Sequence, residues 1–255
     1  MNFATYPSLA GRVVFVTGGA TGIGADIVEA FAAQRARVAF VDLQVDAGRA
    51  LAERIAARGE PRPLCLSADV TDIPALQAAI GHVRAQLGPI GALVNNAAND
   101  QRHAVDEVTP EFWDQTQNVN LRHQFFAAQA VRPQMRELGG GSIINMSSTA
   151  WRLGVEGLSA YATAKAAVLG LTRALARAFG PDNIRVNAIE PGAVMTQRQR
   201  QLWFTTEEAV QAMVDRQLIP RVLLGEEIAR TVLFLAADDS RMITKQSLTV
   251  DAGLR

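Results

Sequence analysis

The sequence predicts an α/β protein built on one doubly wound parallel sheet of about seven strands flanked by helices. Three observations predict it. Short apolar runs suited to strands buried on both faces alternate with stretches whose apolar residues recur at helical spacing. The alternation continues from residue 12 to residue 250 without an internal repeat, a low-complexity tract or a linker. Repeated β-α units joined by right-handed crossovers give a parallel sheet covered on both faces. A chain of 255 residues, 49% of them hydrophobic, can bury one sizeable core, so residues 1–255 read as a single domain.

Taken in order, the first strand is Arg12–Thr17, and a glycine cluster ends it. Helix 25–34 and strand 38–41 complete a β-α-β unit. Helix 47–58 stops near Gly59 and Pro61 ahead of strand 64–67, and helix 73–87 stops at Gly88-Pro89 ahead of strand 91–95. Glycine accepts the left-handed cap conformation, and proline cannot continue a helix. A long helix is expected over 110–138, opened by Thr109 with Pro110 in its first turn and closed by Gly139-Gly140-Gly141. Strand 142–146, helix 159–179 and strand 184–189 follow. Residues 193–223 break the rhythm, with Gln and Arg clustered at 197–201 and a short amphipathic helix near 206–217; this insertion is expected to form a lid over the site. Helix 226–237 and strand 247–250 close the chain.

The 25 Lys and Arg balance 25 Asp and Glu, and the charges are scattered, so neither nucleic acid nor an anionic membrane is expected as a partner. Met1–Leu9 lacks a basic segment followed by an apolar one, and no later apolar run reaches spanning length; a cytoplasmic protein is expected. Cys65 stands alone, which excludes a disulfide framework and a thiolate zinc cluster, and no metal site is expected.

Two stretches carry chemistry. In Thr17-Gly18-Gly19-Ala20-Thr21-Gly22-Ile23-Gly24, glycines permit a tight turn and let backbone N–H groups approach a pyrophosphate at the positive end of a helix. A strand precedes the loop and a helix follows it, the context that a Rossmann-type dinucleotide site requires. Asp42 ends the second strand eighteen residues beyond Gly24, where a carboxylate can accept hydrogen bonds from the adenosine ribose. Ala20, Thr21, Leu43 and Gln44 offer no cation for a 2′-phosphate, which favours NAD over NADP. In the second stretch, Tyr161 and Lys165 stand one helical turn apart on one face. An ammonium beside a phenol favours the phenolate and makes a base near neutral pH.

The loop fits the pattern T-G-x-x-x-G-I-G, and with it the chain resembles the short-chain dehydrogenase/reductase family over essentially its whole length. Asn95-Asn96-Ala97-Ala98 is similar to that family's N-N-A-G, with Ala98 in place of glycine. Arg35 replaces a glycine that usually ends the first helix, and a left-handed arginine there carries strain of about 1 kcal/mol. The resemblance implies that Asp69 and Val70 border the adenine, although a turn or helix-cap role competes for Asp69. It implies that Asn96 and Ala97 flank the cofactor, and that Pro191, Gly192, Val194 and Thr196, in Pro191-Gly192-Ala193-Val194-Met195-Thr196, reach the nicotinamide end. Ser148, thirteen residues before Tyr161, and Asn120 complete the implied tetrad. Tyr161 then takes the alcohol proton, Lys165 lowers the Tyr161 pKa and bonds the nicotinamide ribose, Ser148 holds the substrate oxygen, and Asn120 holds a water. A homotetramer is implied as well, with the two long helices pairing across it and Asp251–Arg255 packing on a neighbour.

Substrate choice falls to less constrained segments. Asn99, Arg102 and His103 follow the fourth strand, and Trp151 and Glu156 lie between Ser148 and Tyr161. An aromatic face among fixed hydrogen-bonding groups suits a pyranose. These segments, with Arg122 and His123, look similar to sugar 1-dehydrogenases of the family, which oxidise the anomeric hydroxyl of an aldose to a lactone. Arg102, His103, Arg122 and His123 are equally well read as surface or subunit-contact residues, and Trp203 as a hydrophobic anchor. Another small polyol or keto acid is the alternative substrate, and a catalytically silent cofactor-binding sensor the alternative role.

Overall fold

The computed structural model describes residues 3–254. Met1, Asn2 and Arg255, which belong to the terminal segments considered above, lie outside the described residues. Seven parallel strands form one sheet. They are β1 (Val13–Thr17), β2 (Arg37–Asp42), β3 (Leu64–Ser67), β4 (Ala92–Asn95), β5 (Gly141–Met146), β6 (Ile184–Pro191) and β7 (Ser247–Val250). Their spatial order is β3-β2-β1-β4-β5-β6-β7, so the winding reverses between β1 and β4. That reversal opens a crevice beyond the carboxyl ends of the strands, where Thr17 pairs with Asn95.

Alternation within the strands explains the two-layered cover. Val14 and Val16 of β1 share a core with Ile27, Phe31, Val232 and Leu233, while Val13 and Phe15 share the opposite core with Leu76, Ile80, Val131 and Leu175. The helices on the first face begin with α1 (Gly22–Ala33) and α2 (Val45–Ala57), and those on the second with α3 (Ile73–Leu87). Each large side chain such as Phe15 or Phe31, fully buried, contributes about 1.5–3 kcal/mol of transfer free energy.

The helix expected over 110–138 is jointed. It consists of α4 (Pro110–Gln117), a π turn at Asn118–Arg122, and α5 (His123–Glu137). Thr109 caps it as expected, its hydroxyl accepting from Phe112 N at 3.2 Å. After β5 come a four-residue helix that the sequence pattern does not show, α6 (Ala150–Leu153), and the long α7 (Ser159–Phe179). Arg35 adopts φ 61° between α1 and β2, as its replacement of a helix-ending glycine requires.

The excursion over residues 193–223 carries two helices rather than one, α8 (Gln197–Leu202) and α9 (Glu207–Val214). Its base is pinned where Val194 bridges Leu223 and Met195 N donates to the Leu223 carbonyl at 2.9 Å. The last helix is α10 (Gly225–Ala236), packed against α1. The described part of the carboxyl-terminal segment lies on its own chain: Leu218 N and Ile219 N both donate to the Ala252 carbonyl, at 2.9 and 3.1 Å.

Candidate active site

The glycine loop is shaped by backbone that side chains would block. Gly18 and Gly22 hold φ +67° and +55°; a Cβ on Gly18 would lie 2.8 Å from Ala97 Cα, and one on Gly24 would lie 1.8 Å from the Gly18 carbonyl oxygen. Asn96 braces the loop, its side-chain amide donating to the carbonyls of Gly18 (2.8 Å) and Thr17 (3.2 Å). Thr17 Oγ1 accepts in return from the N–H groups of Asn96 (3.0 Å) and Ala97 (3.1 Å). Thr21 precedes α1 without a side-chain cap, so the first-turn amides of Gly22, Ile23 and Gly24 have no cap acceptor from it. A bare helix start behind a glycine cradle fits a pyrophosphate. Asp42 is held at the same end, with Oδ2 accepting from Ala20 N and Oδ1 from Gln44 N, both at 2.9 Å. Asp69 Oδ1 accepts from the N–H and the hydroxyl of Thr71, each at 2.8 Å, which is the turn role that competed for it; Val70 beside it is buried.

At the other end of the crevice Ser148, Tyr161 and Lys165 come together. The Ser147 hydroxyl donates to the Lys165 carbonyl at 2.6 Å and fixes α7 against the end of β5. Tyr161 and Ser148 line the same cavity, and Ser148 Oγ accepts from Ala150 N at 3.1 Å. Lys165 is buried, donates to the Met146 carbonyl at 3.0 Å and lies 5.5 Å from the centre of the Tyr161 ring. The expected lowering of the phenol pKa is absent in the protein by itself. Burial raises Tyr161 above the usual phenol range, the Asp100 carboxylate adds to that, and only the neighbouring Ser148 hydroxyl opposes it. Burial pushes Lys165 down to about 7, against the opposing pull of Asp100.

Asn120 sits in the π turn, fully buried, and its side chain is spent on protein partners. Its Oδ1 accepts from Asn99 N and its Nδ2 donates to the carbonyls of Asn99 and Thr116, all at 3.0 Å. His123, one turn on, is also fully buried, whereas Arg122 between them is exposed and lies over Phe126 at 5.7 Å. His123 Nε2 is 3.1 Å from the Ala97 carbonyl, which can only accept, so Nε2 carries the proton. Nδ1 is buried with no partner among the described residues. Burial, then the Lys165 charge, hold its pKa at about 3. His123 is therefore a neutral buried strut, which corrects the surface and subunit-contact reading of that residue.

A cavity of about 640 Å³ joins the two ends. Of the residues singled out from sequence, Ile23, Asn96, Arg102, Ser148, Tyr161, Lys165, Pro191, Gly192, Val194 and Thr196 line it. Gly18, Thr21, Gly22, Gly24, Asp42, Asp69, Val70 and Ala97 belong to the cradle outside that lining, and Asn120 stands behind it. Asn99, His103, Trp151 and Glu156 are also outside the lining. His103 instead bridges to Ser159 Oγ at 2.8 Å and packs edge-on against Phe112. Trp151 Nε1 donates to Glu190 at 2.9 Å, a carboxylate that is 1% exposed and also takes Arg152 and Ser247. Glu156 is exposed. The sequence reading assigns no substrate contact to Asp100, Gln199, Phe204, Met213 or Leu254, all on the cavity wall, and Trp203 joins them with Arg102 stacked at 4.2 Å.

Comparison with known proteins places this geometry. Residues 18–255 match the family model described as Enoyl-(Acyl carrier protein) reductase. The chain is 49% identical over 249 residues to "Probable galactose dehydrogenase GalD" of Rhizobium meliloti (strain 1021), covering 98% of this chain and 97% of that one. It is 45% identical over 255 residues to "D-xylose 1-dehydrogenase" of Caulobacter vibrioides (strain NA1000 / CB15N), covering all of both. A solved 3-oxoacyl-[acyl-carrier protein] reductase with bound NAD from Brucella melitensis superposes with a TM-score of 0.87 at 32% identity, covering 98% of this chain and 93% of that one. Kinship this extensive, on a sheet wound in this order, leaves one assignment: the protein belongs to the short-chain dehydrogenase/reductase family of nicotinamide-dependent oxidoreductases.

Proposed function

We propose that the protein oxidises the anomeric hydroxyl of an aldose to a lactone, with NAD as the acceptor. The observation that carries this reading is the trio of Ser148, Tyr161 and Lys165 lining one cavity, in a chain closely similar to proteins named for galactose and xylose oxidation. The bound nicotinamide supplies the hydride acceptor. Ser148 holds the sugar oxygen, and Tyr161 takes the hydroxyl proton. Because burial keeps the resting Tyr161 protonated, its action as a base depends on a cation nearby, and Lys165 supplies one when it is itself protonated.

NAD rather than NADP is supported by Asp42, whose carboxylate would face a 2′-phosphate with no Lys or Arg at positions 20, 21, 43 or 44 to offset it. The residues 193–223 act as a lid, since α8 and α9 put Gln199, Trp203 and Met213 on the cavity wall. A homotetramer is in keeping with exposed Trp113 and Phe125 on the α4–α5 pair. A cytoplasmic setting accords with the lone Cys65; no described helix is long and apolar enough to cross a membrane. A second reading, oxidation of another small polyol or reduction of a keto substrate, draws on the apolar wall formed by Leu153, Val155, Leu158 and Phe204.

The test is a panel of pentoses, hexoses, deoxyhexoses and polyols with NAD and NADP, following reduced cofactor and identifying the product. Aldose oxidation to a lactone with NAD is expected. Activity confined to polyols or keto acids would overturn the aldose assignment, and a preference for NADP would overturn the role given to Asp42.

A further inference from the structure

Asp100 is the one carboxylate among the described residues lining the cavity. It lies in the loop after β4, and both its oxygens are engaged by the excursion. Oδ1 accepts from Arg198 Nε at 3.3 Å and Oδ2 from Gln199 Nε2 at 2.7 Å. Arg198 also donates to Asn99 Oδ1 at 3.2 Å. An ionised carboxylate has about four lone-pair sites, so two lid donors leave acceptor capacity, and the side chain keeps 21% of its exposure. It lines the same cavity as Ser148, Tyr161 and Lys165.

The apolar part of the wall gives this carboxylate its weight, while Arg102 and Arg216 on the same wall can only donate. Leu153, Val155, Leu158, Phe204 and Met213 offer a substrate surface to cover and no polar partner. An apolar wall discriminates weakly between a hydroxyl and a hydrogen, whereas a site built to accept a hydrogen bond rejects the analogue that lacks the donor. Hydrogen bonds to charged groups are the stronger ones, worth about 10- to 100-fold in equilibrium terms.

We infer that Asp100 is a specificity-determining residue whose carboxylate accepts a hydrogen bond from a substrate hydroxyl other than the one being oxidised. This rests on the reading of Ser148 and Tyr161 as the groups that hold the reacting oxygen. Gln199, already bonded to Asp100 and itself on the wall, fixes the carboxylate for that contact and ties the closing of residues 193–223 to the presence of a polyhydroxylated substrate. Arg198 does not line the cavity and serves only the latch.

The experiment compares kcat/KM for the preferred aldose and each of its monodeoxy analogues in the wild-type protein and in Asp100→Ala, Asp100→Asn and Arg198→Ala. One analogue is expected to be about 10- to 100-fold poorer than the parent sugar in the wild type. That gap should close to within about threefold in Asp100→Ala and fall between in Asp100→Asn, which keeps an acceptor but loses the charge. Arg198→Ala should depress parent and analogue alike and leave the gap intact. A gap of the same size in the Asp100 variants as in the wild type, or no gap for any analogue, overturns the inference. If Asp100→Ala fails to fold, the nearly isosteric Asp100→Asn decides. A wild-type protein that oxidises a polyol and no aldose removes the aldose assignment alone, because the same deoxy comparison on that polyol still decides for Asp100.

Discussion

Asn120 and Asn99 exchange two hydrogen bonds of 3.0 Å, the Asn120 amide accepting from the Asn99 N–H and donating to the Asn99 carbonyl. The π turn makes this possible by turning Asn120 inward, and His123, the first residue of α5, adds a third tie through the Ala97 carbonyl. The segment Ala97–Asn99 is thereby docked on the joint between α4 and α5. Beyond it the chain delivers Asp100 and Arg102 to the cavity wall.

Asn120→Ala should loosen that loop as well as touch the chemistry. The backbone groups of Asn99 and the Thr116 carbonyl each lose a hydrogen bond worth about 0.5–1.5 kcal/mol, so the melting temperature falls. KM for the substrate should rise together with a fall in kcat, because the residues displaced are those on the wall. Steady-state kinetics beside thermal melts check this; a loss confined to kcat with an unchanged melting temperature would assign Asn120 to proton transfer alone.

The buried neutral His123 makes stability depend on acid. Its pKa is near 6.5 in the unfolded chain and about 3 in the fold, so between these values the unfolded state binds the proton and the folded state does not. Stability from this group is complete above pH 6.5 and is lost as pH falls towards 3, by a few kcal/mol at the limit. In His123→Gln, which keeps a donor for the Ala97 carbonyl and cannot titrate, the fall in stability from pH 6.5 to 4 should be shallower. Urea denaturation at each pH measures the difference in slope, and parallel curves for the two proteins would refute it.

Asp42 holds Ala20 and Gln44, and under the proposed function its charge faces the adenosine end. Asp42→Ala should raise KM for NAD by about tenfold or more and improve the ratio of NADP to NAD kcat/KM by removing the repulsion of a 2′-phosphate. Cofactor-saturation curves with a fixed substrate decide it; an unchanged ratio would place discrimination elsewhere.

How far the sequence reaches follows from the range of each interaction. Val13–Val16 reads as a strand because both faces are buried, and the local run of apolar residues records that. The glycine loop is legible for the same reason, since strand, turn and helix are contiguous. The π turn is not, because Asn118–Arg122 has ordinary helical composition and its bulge is held by Asn99, twenty-one residues away from Asn120. Helix α8 is equally hidden: Gln197–Leu202 carries no buried residue and no apolar stripe, and its fastening is Asp100, nearly a hundred residues earlier.

Trp151 offers the sharpest separation between a residue read from its neighbours in sequence and one fixed by a distant partner. Lying between Ser148 and Tyr161, it suggests a platform for a sugar ring. In the fold its indole N–H points to Glu190, and that carboxylate is buried with Arg152 and Ser247 as its other donors. Trp151→Phe would keep the aromatic face and remove one donor from a buried anion, at a cost of about 1–3 kcal/mol. The expected result is a lower melting temperature with KM for the sugar unchanged within about twofold, the stacking contribution being at most about 1.5 kcal/mol if a ring lay there. Trp151→Leu separates the two roles further, since a platform would lose its face while a strut would lose no more than it does in phenylalanine. A rise in KM in Trp151→Leu that is absent in Trp151→Phe would restore Trp151 to the substrate site.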